Sequence, residues 1–413
     1  MTSTQSAGSP LRVLVVTESY PPQVNGVAHT ASRAAEHLAR RGHSPLVVAP
    51  TAPAGLRTGT SAASAGSPVV RAPALSWPGY PDVRMALPTG VVGRAIAAHR
   101  PDVVHLSSPL LLGAHAVRAA LKRRVPIVAV YETDVAAYCR SYAPRVPGGA
   151  QYVWRRLRGI HGPADRTIVS SSASKLALEE QGIPRIHLLP HGVDAVRFDP
   201  RHRDPRLRRR LAPNGEVLVG YVGRLAPDKH VELLRGVCGL PGVRVVVVGD
   251  GPNGPRLRAA LPDATFLGVR VGEELARIYA SLDVFAHTGP FETFGLTVQE
   301  AMASGLPVVA PAAGGPLDLV QHGRTGFLVP PLDETALREA VRGLTESPAR
   351  RAAFGAAARA FALRNTWEAA GDSLIGHYRQ VLDERAQLPT GPAFGSSTPP
   401  MISPNSSRPS TIR

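Results

Sequence analysis

The polarity of its strand-length runs constrains this chain most. Short apolar runs recur through the sequence, and they are continuous rather than alternating. In the first half they cover residues 13–16, 46–49, 69–71, 103–106, 127–130, 167–169 and 186–189. In the second half they cover 218–222, 243–248, 265–267, 284–287, 308–310 and 327–329. Continuous apolarity marks parallel strands covered on both faces. Helix-length segments such as 28–41, 110–124 and 273–282 lie between them. A β-α unit repeated in this way predicts an α/β protein with two doubly wound parallel sheets.

A chain of 413 residues fits two domains. The Arg-rich stretch 201–210 and the turn Pro213-Asn214-Gly215 separate the halves. The expected organisation is a first domain over 1–200, a second over 201–366, and a terminal helix over 367–387 packing back toward the first domain. Residues 52–66, rich in Ala, Gly, Ser and Thr, read as a loop. The Pro/Ser/Thr-rich tail 388–413 reads as disordered.

Composition narrows the function classes. Net charge is +16, but aromatic residues make up only 5% and no nucleic-acid motif is present. Nucleic-acid binding is therefore not expected. A solvated Arg-rich surface or attraction to an anionic membrane accounts for the charge. Two cysteines, Cys139 and Cys238, have neither metal-type nor disulfide-framework spacing, which fits a reducing compartment. The first apolar run lacks a preceding basic flank and reads as a strand rather than a signal peptide. No run approaches the roughly 18 apolar residues of a membrane span. The expectation is a cytoplasmic chain, with peripheral contact at the inner membrane face left open.

In open α/β sheets, ligands bind beyond the carboxyl ends of strands, and the informative residues of this chain follow strands. After the first comes Thr17-Glu-Ser-Tyr-Pro-Pro-Gln-Val-Asn-Gly-Val27, where Gly26 lets backbone N–H groups approach a phosphate or sugar. Asn25-Gly26 is also ordinary turn chemistry. After 218–222 comes Gly223-Arg224-Leu-Ala-Pro-Asp-Lys229. Arg224 and Lys229 at the mouth of a sheet make an anion site, or else a solvated basic turn. After 127–130 comes Tyr131-Glu-Thr-Asp134, an acid pair facing the expected cleft or two loop acids with capping roles. After 243–248, Gly249-Asp-Gly-Pro-Asn-Gly254 matches G-x-G-x-x-G and raises a nicotinamide-dinucleotide reading. Pro252 inside the fingerprint weighs against it, as does the lack of a ribose-binding acid after Phe266-Leu267-Gly268.

The segment Gly289-Pro-Phe-Glu-Thr-Phe-Gly-Leu-Thr-Val-Gln-Glu300 places Glu292 and Glu300 on either side of a Phe-Gly turn. One reading is a capping box with Thr297 as N-cap and Glu300 three residues on. The other is a recognition unit. Glu292 accepts sugar hydroxyls, Glu300 accepts ribose hydroxyls, and N–H groups around Gly295 hold oxygens between them. With Arg224 and Lys229, this describes a nucleoside diphosphate-sugar bound between two domains.

The combined motifs resemble those of the family-four retaining glycosyltransferases of the GT-B fold, over about residues 12–387. They are Gly223–Lys229 as G-R-L-x-x-x-K, Glu292 to Glu300 as E-x7-E, and Glu300-Ala-Met-Ala-Ser-Gly-Leu-Pro-Val-Val-Ala310. The opening Glu18-Ser-Tyr-Pro-Pro-Gln-Val-Asn-Gly-Val27 is similar to the subgroup of GDP-mannose-dependent α-mannosyltransferases acting on glycolipids. So is Tyr131-Glu-Thr-Asp134, with Glu132 where that subgroup has Gln. The resemblance implies two Rossmann-like domains facing across a cleft. It implies a hexose transfer from GDP-mannose to a lipid-linked or polar sugar acceptor, with no metal and no resident cofactor. Arg224, Lys229 and Gly223 would lie at the donor diphosphate, which Gly26 would line from the first domain. Glu292 would bind the donor sugar and Glu300 the ribose. N–H groups from Phe294, Gly295 and Leu296 would hold the sugar, and the base would stack near 267–270. Many members carry a histidine where this loop reads Tyr-Glu-Thr-Asp; Asp134 in that place would steady positive charge on the sugar or orient the acceptor. A UDP-sugar donor, a nucleotide-sugar epimerase and a non-enzymatic basic binding protein are the rival readings.

Overall fold

Parallel strands pair in sequence order only until the chain must return across its own sheet. The computed structural model describes residues 9–52, 67–77, 80–109, 111–136 and 149–387. The first sheet holds β1 (Arg12–Thr17), β2 (Ser44–Pro50), β3 (Val69–Ala72), β6 (Val103–Ser107), β7 (Ile127–Tyr131), β8 (Arg166–Val169) and β9 (Ile186–Leu188). Its order is β3-β2-β1-β6-β7-β8-β9, and every neighbouring pair is parallel. The second sheet holds β10 (Val217–Val222), β11 (Val243–Val248), β12 (Thr265–Gly268), β13 (Val284–Ala286), β14 (Val308–Pro311) and β15 (Gly326–Val329). Its order is β12-β11-β10-β13-β14-β15, again parallel throughout.

The expected doubly wound α/β architecture is what forms. β1, β6, β7, β10, β11 and β14 are almost wholly buried, as their unbroken apolar runs required. The edge strands β3, β9 and β12 are only partly buried, and one strand pair stands outside the pattern altogether. β4 (Ala74–Trp77) and β5 (Tyr80–Ala86) form an antiparallel pair outside both sheets. Their mixed polarity and Pro81 hide them from a search for continuous runs. Most of the 52–66 loop, Cys139, Leu110 and the tail from Leu388 lie outside the described residues.

In each sheet the chain winds outward and then returns to the other side of its starting strand. The switch points fall between β1 and β6 and between β10 and β13. These are the places where loops diverge and leave a crevice. The two halves are joined by crossings that run side by side. Val193 N donates to Asn365 O at 3.0 Å, and a Cβ on Gly192 would sit 2.2 Å from Trp367 N.

The helix Trp367–Gln387 then lies on the first half. Leu374, Ile375, Tyr378 and Val381 join the core formed by Val13, Val15 and Val103. Polar contacts fix its register. Tyr378 OH meets buried His105 Nδ1 at 2.7 Å, and Asp372 binds His37 at 2.8 Å. Arg385 Nε reaches Asp165 at 2.6 Å, as does Arg166 to Glu384.

Candidate active site

The second switch point assembles the charged core of the site. Lys229 closes the loop after β10, and Glu292 stands on the loop after β13. These residues are 63 apart in sequence, yet Lys229 Nζ lies 2.8 Å from Glu292 Oε2 because their strands are neighbours. Asp228 Oδ2 is 3.8 Å from the same ammonium and is itself almost fully buried. Burial pushes the Glu292 carboxyl up, but the charge and hydrogen bond of Lys229 outweigh it and hold the group below the usual carboxylate range. Burial lowers the pKa of the Arg224 guanidinium, and Asp228 opposes that shift. The site therefore carries an ionised carboxylate beside the Lys229 ammonium, with Asp228 acting on both Lys229 and Arg224, in a partly desolvated crevice where charges act strongly.

His287 escaped the reading of the sequence. It follows β13, is 2% exposed, and places Nε2 3.8 Å from Glu292 Oε2. Burial brings its pKa down to about 4, so it is a neutral imidazole. Its position directly after a strand, five residues before Glu292, was the available signal.

The Phe-Gly turn is a backbone device. Gly295 has φ of +101° and is the N-cap of the helix Leu296–Ala303. Thr297 is therefore the second helical residue, and the capping-box reading is overturned. The N–H groups of the first helical turn have no partner within the helix. Gly314 and Gly315 support the loop from beneath. Gly315 N donates to Glu292 O at 2.7 Å, and a Cβ on Gly315 would meet Phe294 O at 2.1 Å. Phe294 itself is buried and meets the His191 ring edge-on at 5.0 Å.

Glu300 sits one turn into that helix. Tyr279 OH lies 3.2 Å from its Oε2 and equally close to Thr297 O. Burial pushes the Glu300 carboxyl up to about 7, against the Tyr279 hydrogen bond and the field of Arg197. A carboxyl poised in this way gains by accepting hydroxyl donors.

The glycine fingerprint at 249–254 has a different task from dinucleotide binding. Gly249 has φ of +132°, and a Cβ there would lie 1.9 Å from Gly223 O. Leu225 N donates to Asp250 O and Asn253 N donates to Leu225 O, both at 2.9 Å. These glycines let the 249–253 backbone dock against the Gly223–Leu225 segment, and thereby brace Arg224.

The first half supplies the facing wall. Asn25 caps the helix Gly26–Arg40 through Ala28 N, and a Cβ on Gly26 would lie 3.7 Å from Leu296 Cδ1. Gly26 and Leu296, two of the residues singled out in the sequence, thus meet across the cleft. The acid pair after β7 separates. Glu132 turns inward to accept from Ser107 Oγ, and burial pushes its carboxyl up to about 7. Asp134 stays half-buried on the loop beyond it. Beside Glu132, a cavity of about 50 Å³ is lined by Thr30, Arg33, His105, His191 and Trp367 among others. Among the described residues, no group of three His, Cys, Asp or Glu side chains is placed to hold a metal ion.

Comparison with known proteins shows the family of the chain. Residues 24–197 match the model for Glycosyltransferase Family 4, and residues 203–361 match that for Glycosyl transferases group 1. A GDP-mannose-dependent alpha-mannosyltransferase of Mycobacterium tuberculosis is 46% identical over 376 residues, covering 91% of this chain and 98% of the relative. One from Corynebacterium glutamicum is 38% identical over 383 residues, covering 92% and 91%. The structure of sucrose-phosphate synthase from Thermosynechococcus elongatus superposes with a TM-score of 0.75 at 22% identity, over 91% of this chain and all of that one. It shares the arrangement of two Rossmann-like halves. The chain belongs to glycosyltransferase family 4 and has the GT-B fold.

Proposed function

We propose that this glycosyltransferase is a retaining α-mannosyltransferase that moves mannose from GDP-mannose to a sugar or glycolipid acceptor. The observation that carries the reading is the 2.8 Å approach of Lys229 to Glu292 at the β10/β13 switch point. It sets a cation for a diphosphate beside a carboxylate for sugar hydroxyls. The names of the relatives at 38–46% identity support mannose and GDP.

In this reading Arg224 and Lys229 hold the diphosphate and stabilise the charge that develops as it leaves. The chain Gly223–Lys229 and Gly26 line it from either side. Glu292 accepts hydroxyls of the mannose, and N–H groups of Phe294, Gly295 and Leu296 bind its oxygens. Glu300 accepts the ribose hydroxyls. The base lies near 267–270, where Val269 is exposed. The bond from the anomeric carbon to the phosphate oxygen breaks, and the acceptor hydroxyl adds to that carbon on the same face. Its proton passes to the departing phosphate oxygen. Asp134 faces the acceptor side of this step. No metal is assigned a part, since Arg224 and Lys229 supply the positive charge.

Peripheral membrane contact at an anionic surface is the further part of the reading. Leu111 and Leu121 are exposed on the helix Leu111–Lys122, and Tyr152 is exposed on the neighbouring helix Gly149–His161. Leu112, next to Leu111, is buried and adds nothing to this surface. No described helix is long and apolar enough to cross a membrane.

The test is thermal unfolding with GDP, UDP and NAD⁺ in turn. At about 100 times its dissociation constant a ligand adds roughly 2.7 kcal/mol. A selective rise with GDP is expected. A rise with UDP alone overturns the donor, and a rise with NAD⁺ alone overturns the reading of the site.

A further inference from the structure

Glu292 and Thr293 are consecutive residues that serve opposite halves of the protein. Glu292 turns back to Lys229 in its own half. Thr293 turns outward, and its Oγ1 donates to the backbone carbonyl of Glu132 in the first half at 2.8 Å. The Thr293 carbonyl in turn lies 3.4 and 3.5 Å from the hydroxyls of Ser170 and Ser174, beyond β8. A second bridge runs beside the first. Asp318 Oδ2 accepts from Ser172 N at 2.6 Å, where the helix Ser172–Glu180 begins. A carboxylate is favoured at such a helix start. Asp318 lies three residues past Gly315, whose N–H holds the Glu292 carbonyl. The loop that presents Glu292 is thus tied to the first half at points beyond β7 and β8.

We propose that Thr293 is a positioning residue for the transfer step, fixing the acceptor-side loop 131–134 in register with the Glu292 carboxylate. This rests on the reading of the site given above. The bond ends on a backbone carbonyl, so it sets the course of the loop itself. Asp134 stands two residues beyond that carbonyl. A shift of the loop changes the distance between an acceptor held by the first half and a sugar held by the second. Transfer between two bound reactants is sensitive to displacements of about 1 Å, at a cost of up to about 10²-fold. Attack by water, which needs no site in the first half, is far less sensitive.

The experiment uses the full chain, GDP-mannose, and octyl α-mannoside as acceptor probe. Thr293→Val keeps the side chain's shape and removes the hydroxyl. Transfer is expected to fall about 10- to 100-fold. Hydrolysis of GDP-mannose and the melting shift produced by GDP should stay near wild type. Thr293→Ser, which keeps the hydroxyl, should restore transfer. Wild-type transfer by Thr293→Val overturns the proposal. So does a parallel loss of transfer, hydrolysis and GDP stabilisation, which would mark simple collapse of the donor loop. A wild-type protein that GDP does not stabilise would instead sink the underlying reading of the site.

Discussion

At the scale of single residues, the site is a matter of charges kept partly dry. Lys229 and Glu292 are 15% and 22% exposed and face each other as opposite charges at 2.8 Å. Removing either leaves a poorly solvated charge behind. In the proposed reaction it also removes either the cation that stabilises the leaving diphosphate or the carboxylate that holds the sugar. Lys229→Ala or Glu292→Ala is expected to cut turnover of GDP-mannose by roughly 10²-fold or more; steady-state kinetics would reveal full activity if the assignment were wrong. Glu132 makes a separate prediction. Burial raises its pKa from 4.5 to about 7, so the folded protein keeps a proton that the unfolded chain releases. Its contribution is therefore fully present below about 4.5 and is lost as pH rises through about 7, amounting to about 3 kcal/mol at most. Melting temperature should drop between pH 5 and pH 8, and the drop should be smaller in Glu132→Gln, which cannot titrate. Equal drops in the two proteins would refute the assignment.

At the scale of elements, loops take their shape from neighbouring loops. The glycines at 249 and 251 look, in sequence, like a dinucleotide fingerprint. In the fold they admit the Gly223–Leu225 backbone. Gly249→Ala would place a Cβ against Gly223 O at a φ that L-residues rarely adopt. It should cost roughly 1–3 kcal/mol and abolish the GDP-induced melting shift, because the Arg224 loop must move. Unchanged GDP binding would show that the brace is dispensable. The same logic explains what was legible. The strands of the two sheets could be read because continuous apolar runs encode two-sided burial, and four helices could be read with them. Glu292, Gly295 and Glu300 could be placed because they follow a strand and open a helix. The β4–β5 pair and the inward turn of Glu132 could not, since each depends on what packs against it.

At the scale of the whole molecule, the terminal helix makes the two halves interdependent. It leaves the second half beside the 190–193 crossing and completes the core of the first. Tyr378→Phe would leave buried His105 without its 2.7 Å partner. A loss of about 1–3 kcal/mol is expected in chemical denaturation, with GDP affinity unchanged because Tyr378 is buried in the core of the first half. No change in the denaturation midpoint would show that His105 finds another partner.

The sequence by itself determined the α/β class, the winding of two parallel sheets and the strand ends at which charged residues gather. Local polarity and turn chemistry suffice for these, since burial on two faces and a helix start leave marks on adjacent residues. Only the tertiary structure decided which of those residues meet. Lys229 reaches Glu292 because β10 and β13 are neighbours, His287 lies beneath them, and Thr293 reaches across to Glu132. Contacts between residues 60 or more apart depend on sheet order and on how the halves sit together, and no local pattern encodes that distance.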